Sequence, residues 1–216
     1  MIRNKKMVSI VLLMIVCGLC VFVSKSTWAR CVKHFPRVDS NPCPPERNIK
    51  VKDLLIDESA FPAGWRANAL GPAGTGPAPM IGLRRAREET SLGFSPITDT
   101  SKIGTTTGAG QFIDRYYTFG QAISNYRLEK EAAIRPTLVF TFWEVPENIH
   151  YKSKLADEFY FACTKKERIS KCTAVARYNE YVTKFNVTMT PEVMSYKDLE
   201  KVFKAIDERM VKYLVD

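Results

Sequence analysis

Few side chains in this sequence have the type and spacing for acid–base or nucleophilic chemistry. Histidine, the side chain that titrates nearest neutral pH, occurs at His34 and His150. His34 stands in a proline-rich stretch. His150, in Asn148-Ile149-His150-Tyr151, needs a carboxylate to hold its ring and a nucleophile or activated water beside it. Asp157 and Glu158 are the carboxylates closest in sequence, but neighbours in an extended segment project to opposite faces. A hydrolase using His150 with one of them is therefore the weaker reading, and a non-enzymatic binding or accessory module the stronger. There is no G-x-S-x-G nucleophile elbow. Gly104-x-x-x-Gly108-x-Gly110 lacks the Gly-Lys-Ser/Thr of a phosphate loop and runs into Gln111-Phe112, so it reads as a flexible loop or bulge.

Of six cysteines, Cys17 and Cys20 lie in an apolar N-terminal run, and Cys31, Cys43, Cys163 and Cys172 lie beyond it. In an exported chain four cysteines read as two disulfides with three possible pairings, and proximity favours Cys31 with Cys43 and Cys163 with Cys172. A zinc site is the rival reading, yet neither spacing approaches C-x-x-C and no histidine stands in finger-like register. No metal or cofactor is expected.

The formal charge is +9. Arg3, Lys5, Lys6 and Lys25 belong to or flank the N-terminal apolar segment, and without them 28 basic residues face 23 acidic ones. The remainder forms two clusters, Arg84/Arg85/Arg87 and Lys165/Lys166/Arg168/Lys171. Both are interrupted or followed by glutamates, the pattern of a solvated face first and of a polyanion or anionic-lipid site second. No nucleic-acid partner is expected. The segment between Cys163 and Cys172 combines closure by a disulfide with four basic side chains, so Lys165, Lys166, Arg168 and Lys171 are the surface-contact candidates, toward an envelope protein or an anionic surface. Asn186-Val187-Thr188 fits the N-glycosylation pattern. Trp65, Tyr116, Tyr117, Trp143, Tyr160, Tyr178 and Tyr181 are numerous enough to line a ligand surface, but read first as core or half-buried sheet face.

The elements that carry these residues follow from the pattern. Arg3, Lys5 and Lys6 precede seventeen uncharged residues, Met7 to Val23. That is longer than a usual signal-peptide core and at the lower limit of a membrane-spanning helix. Residues 1–29 are thus a signal peptide or signal anchor forming an apolar helix, with the rest at the cell membrane or secreted, on the extracytoplasmic side. Residues 30–48, with Pro36, Pro42, Pro44 and Pro45, form a linker, and 49–216 one domain.

Within that domain Val51 to Ile56 starts a short helix or strand, Phe61 to Trp65 turns sharply, and Gly71 to Pro79 is an exposed loop. Phe112 to Tyr117 and Thr137 to Trp143 are β-branched and aromatic, hence strands. Thr118-x-x-Gln121 opens a helix that stops before Pro136. Leu155 to Cys163 and Cys172 to Tyr178 form strands joined by a charged loop. After a turn at Asn179-Glu180, Tyr181 to Met189 alternates as a half-buried strand. Ser195-x-x-Asp198 caps a last helix with an apolar stripe from Leu199 to Leu214. The fold class is α+β, a mostly antiparallel sheet covered by helices.

The order of the Phe61–Trp65 turn, the strand and helix from Asp114-Arg115-Tyr116-Tyr117 to Tyr126, and the terminal hairpin and helix from Ala176-Arg177-Tyr178 to Leu214 resembles exported bacterial α/β sandwich domains of the PsbP-like kind. The resemblance implies a non-catalytic, accessory role and transfers no site residues.

Overall fold

The computed structural model of the chain describes residue 47 and residues 49–68, 86–97, 107–136 and 142–214. The apolar N-terminal segment, Cys31, Cys43, Arg84, Arg85 and the Gly71–Pro79 loop lie outside the described residues. Six strands form one antiparallel sheet: β1 (Trp65–Asn68), β2 (Glu88–Pro96), β3 (Gly108–Arg115), β4 (Glu158–Lys166), β5 (Ile169–Tyr178) and β6 (Tyr181–Met189), in the order β1-β2-β3-β6-β5-β4. Helix α1 (Phe119–Ala133) packs on one face and α2 (Tyr196–Leu214) on the other, with two 3-10 turns at Val51–Leu54 and Glu58–Ala60. The architecture is α+β. No helix among the described residues is long and apolar enough to cross a membrane.

Strands β4, β5 and β6 form a meander with two-residue turns at Glu167-Arg168 and Asn179-Glu180. Each turn begins with a left-handed residue, Glu167 (φ 55) and Asn179 (φ 54). Asparagine tolerates that region and signals the second turn; glutamate does so less readily, and nothing in the sequence signals the first. The expected charged loop between Cys163 and Cys172 is therefore a hairpin, in which Lys165, Lys166 and Lys171 are strand residues. Strand β4 also starts later than Leu155. The Ser153 hydroxyl accepts the backbone N–H groups of Leu155 (3.2 Å) and Ala156 (2.9 Å), which holds the chain in a local turn.

Three further expectations change. Gly108 and Gly110 do not form a loop: they are ladder residues of β3, opposite Thr188 and Asn186 of β6. A Cβ at Gly108 would come within 3.3 Å of the Phe94 carbonyl, a close backbone approach that suits glycine. Strand β2 follows directly on the Arg84/Arg85/Arg87 cluster, where no element was expected, and its residues Glu88 to Phe94 pair with β3. Of the strand expected over Thr137 to Trp143, residues 137–141 lie outside the described residues; Phe142 and Trp143 join no ladder, and Glu144 makes one antiparallel bridge to Cys163.

Alternation divides the sheet into two unlike faces. The α2 face carries the main core, in which Phe61, Phe94, Phe161 and Phe185 pack beneath Leu199, Val202, Phe203, Ile206 and Met210 of the helix. The N-terminus of α2 is closed by reciprocal bonds: Ser195 Oγ accepts the Asp198 N–H and the Asp198 carboxylate accepts the Ser195 N–H, both at 3.2 Å. Cys163 and Cys172 are directly paired on the same face, buried, and joined by a disulfide. Closing a loop of sequence separation 9 contributes about 2 to 3 kcal/mol through restriction of the unfolded chain.

Candidate functional site

The other face is more polar and only partly covered by helix. Helix α1 starts where the sequence places it: Thr118 Oγ1 accepts the Gln121 N–H (3.1 Å) and Gln121 Oε1 accepts the Tyr117 N–H (3.1 Å). Its buried residues Ala122 and Tyr126 cover Val175 and Val182, with Tyr116 and Tyr160 beside them. Fifteen residues give a helix of about 22 Å, which ends near the middle of the sheet, where Lys184 Nζ meets Glu129 Oε2 at 2.7 Å.

A cleft of about 320 Å³ opens beyond that end. The last turns of α1 supply Glu129, Ala132 and Ala133, and the sheet supplies Lys171, Lys184 and Asn186. Trp143 also lines it, positioned by its neighbour Glu144, whose N–H and C=O both bond Cys163 on strand β4 (2.8 and 2.7 Å). The Trp143 indole N–H is buried without an acceptor among the described residues. Asn186 Oδ1 accepts the Thr173 hydroxyl at 2.8 Å, so its amide N–H₂ is the group left for another partner. The Lys184 ammonium also lies 5.3 Å from the centre of the Phe112 ring.

Asp114 stands on the same face, opposite Val182 in the ladder. Burial, reinforced by the charge of Glu129, lifts its carboxyl to about 6, against the opposing pull of Lys184. Glu89 adds a smaller upward push, and the Tyr116 hydroxyl at 3.3 Å a small downward one.

The structure separates the four surface-contact candidates. Lys171 lines the cleft, and Lys166 lies on the same face by alternation. Lys165 points to the opposite face, and Arg168, at the hairpin tip, is paired with Glu192. His150 is exposed, with its backbone N–H on Glu200 Oε1 at 2.7 Å. Asp157 and Glu158 were expected to diverge. They converge instead on Arg177, at 2.9 and 2.6 Å, because Asp157 precedes β4 and escapes its pleat. Asn186 of the glycosylation pattern lies within β6 between β3 and β5, half-buried against Thr173. Of the seven aromatic residues singled out, Trp65, Tyr116, Tyr178 and Tyr181 are buried, Trp143 and Tyr160 half-buried and Tyr117 exposed.

Two buried polar groups have no counterpart in the sequence reading. Asp207 interrupts the apolar stripe of α2 and accepts hydroxyls from Tyr151, Ser153 and Tyr178. Glu180 is fully buried between Arg47 (3.5 Å) and Arg115 (3.6 Å). Burial raises its carboxyl above the usual range, and the two arginines, with Arg87, pull it back. Arg47 also donates to the Leu214 carbonyl at 2.6 Å, closing the end of α2. A second groove, of about 610 Å³, runs between α2 and the 3-10 turns, bridged by the ion pair Asp57–Arg209, with Lys201–Asp198 paired along α2 (both 2.9 Å). No cluster of metal-ligating side chains occurs among the described residues.

Comparison with protein-family models, with curated proteins and with solved structures finds no match to this chain.

Proposed function

We propose that this protein is a non-enzymatic binding module of the extracytoplasmic side, carried to a membrane by its N-terminal apolar segment, with the cleft at the end of α1 as its ligand surface. The observation that carries the reading is the cleft itself, where charged, amide and indole groups from α1, the sheet and the β4 edge converge. Both carboxylates of the alternative hydrolase are engaged by Arg177, whereas the cleft is open to a ligand and holds a buried indole N–H, that of Trp143, with no acceptor among the described residues. The resemblance to exported sandwich modules points the same way.

Retention on isolated envelope fragments tests the reading. Ala133→Trp, which fills the cleft from α1, is expected to lower retention at least tenfold while the melting curve stays cooperative. Retention equal to that of the unmodified protein would exclude the cleft as the ligand surface. An inactive alkaline phosphatase fused after residue 216, under export conditions, would exclude the location.

A further inference from the structure

Charge in the cleft is close to balanced. Lys184 is neutralised by Glu129 at 2.7 Å, and Lys171 is the other lysine of the lining. Against them stands the carboxyl end of α1, whose terminal carbonyls carry partial negative charge toward Ala132 and Ala133. Asp114 and Glu89 lie on the same sheet face behind Lys184. A polyanion entering here meets Glu129 and a helix C-terminus, and a cation meets two lysines.

Hydrogen-bonding capacity is balanced as well. Donors are the Trp143 indole N–H, the Asn186 amide and the lysine ammonium groups; acceptors are the Glu129 carboxylate and the last carbonyls of α1. The indole N–H is buried with no acceptor among the described residues, and leaving such a group unmade is unfavourable. A ligand oxygen satisfies it. Trp143, Ala132 and Ala133 supply apolar surface beside these polar groups.

On the reading that this cleft is the ligand site, we infer that its occupant is a neutral, hydroxyl-rich group of the saccharide class, with C–H faces against Trp143 and the α1 alanines and hydroxyls toward Asn186, Glu129 and Lys171. Hydroxyls both donate and accept, which matches a lining of mixed capacity in which lysines stand beside a carboxylate and a helix carboxyl end. The volume, at the small end of ligand pockets, suits a short saccharide.

The full chain, ¹⁵N-labelled and held in a detergent without sugar headgroups, provides the test. Its three tryptophans give separate indole N–H signals, and Trp143→Phe identifies the one from the cleft. Titration with N-acetylglucosamine and cellobiose is expected to move the Trp143 signal saturably at millimolar concentration, with Asn186→Ala weakening the response at least fivefold and His150→Ala leaving it unchanged. Inorganic phosphate and succinate are expected to leave it in place. Movement by either anion but by neither sugar overturns the saccharide class and leaves the cleft as the site. If no probe moves the signal, the saccharide class is again wrong; the cleft then stands if Ala133→Trp protein is lost from envelope fragments, and falls if that protein is retained.

Discussion

Tyr178 donates its hydroxyl to Asp207 Oδ1, which joins the end of β5 to the middle of α2 inside the main core. The other carboxylate oxygen accepts Tyr151 at 2.5 Å and Ser153 at 2.7 Å. One buried charge thus holds a helix, a strand and the segment that leads into β4. Burial raises the Tyr178 and Tyr151 hydroxyls above the usual tyrosine range, with the Asp207 carboxylate adding to the shift, so both remain donors at alkaline pH.

Replacing Asp207 by Ala takes the carboxylate acceptor from the buried Tyr178 and Ser153 hydroxyls and leaves Tyr151 with the Phe203 carbonyl at 3.3 Å. Hydrogen bonds to charged groups are worth on the order of 1.5 to 3 kcal/mol each, and unmade donors add their desolvation. Urea unfolding at pH 7 should show Asp207→Ala less stable by about 3 kcal/mol or more, and Tyr178→Phe by about 1 to 2. A loss below about 1 kcal/mol for Asp207→Ala would show that the carboxylate does not hold these elements together.

Arg115 and Glu180 should respond unequally to substitution. Removing Arg115 leaves a fully buried carboxylate with Arg47 at 3.5 Å and the more distant Arg87, and breaking a buried pair from one side costs about 3 to 5 kcal/mol. Glu180→Gln removes the charge that burial opposes, and Arg115 keeps Glu88 at 4.0 Å and the Arg47 carbonyl at 3.2 Å. Thermal melts should therefore place Arg115→Ala well below Glu180→Gln. The reverse order contradicts the account of Glu180 as a carboxylate held against its desolvation.

The main features of the meander and both α-helices were legible because local signals agreed: Thr118 with Gln121, Ser195 with Asp198, the period-two pattern of β6, and asparagine at the Asn179 turn. Strand β2 was not, although Thr90, Leu92 and Phe94 do alternate toward the core face, because Arg87, Glu88, Glu89 and Gly93 dilute the run and β-propensity is set by neighbours that sequence does not reveal. The cleft was least legible. Trp143, Lys171, Lys184 and Glu129 come from four separate segments, and their meeting depends on β6 inserting between β3 and β5. Lys171 was a surface-contact candidate, but for a loop that is a hairpin strand, and Trp143 was read first as core or sheet face.

Asp114 should make stability fall as pH rises through the mildly acidic range. Its carboxyl titrates near 3.8 when unfolded and is lifted to about 6 in the fold, chiefly by burial and then by Glu129. Between these values the folded protein holds a proton that the unfolded chain has released, so the unfolding free energy decreases with pH. Lys184 on β6 opposes the shift, and Glu89 on β2 reinforces it. Asp114→Asn should remove this contribution between about pH 4 and about pH 6 and leave the protein more stable than its parent at pH 7. An unchanged pH profile in the variant, or a carboxyl signal that titrates near pH 4 by NMR, would contradict it.

Association with the envelope should depend on Lys171 and not on the rest of its basic cluster. Lys171 lines the cleft, whereas Arg168 is committed to Glu192 and Lys165 faces the other side of the sheet. Lys166, though on the cleft side, lies in the last residue pair of the β4–β5 hairpin and is exposed. Lys171→Ala is expected to weaken retention about fivefold, the equivalent of one hydrogen bond worth about 1 kcal/mol. The effect should persist from about 0.05 to about 0.5 M salt, because a contact inside a partly enclosed cleft is screened less than one between exposed charges. Lys165→Ala, Lys166→Ala and Arg168→Ala together should stay within about twofold of the parent, since exposed cations contribute little in salt, and His150→Ala should do the same. If instead the triple variant is lost and recovers nothing at low salt beyond its parent's screening curve, the hairpin tip binds an anionic surface and the cleft is not the site. If His150→Ala is inactive while folded and exported, and Lys171→Ala behaves as its parent, the hydrolase reading replaces the binding module.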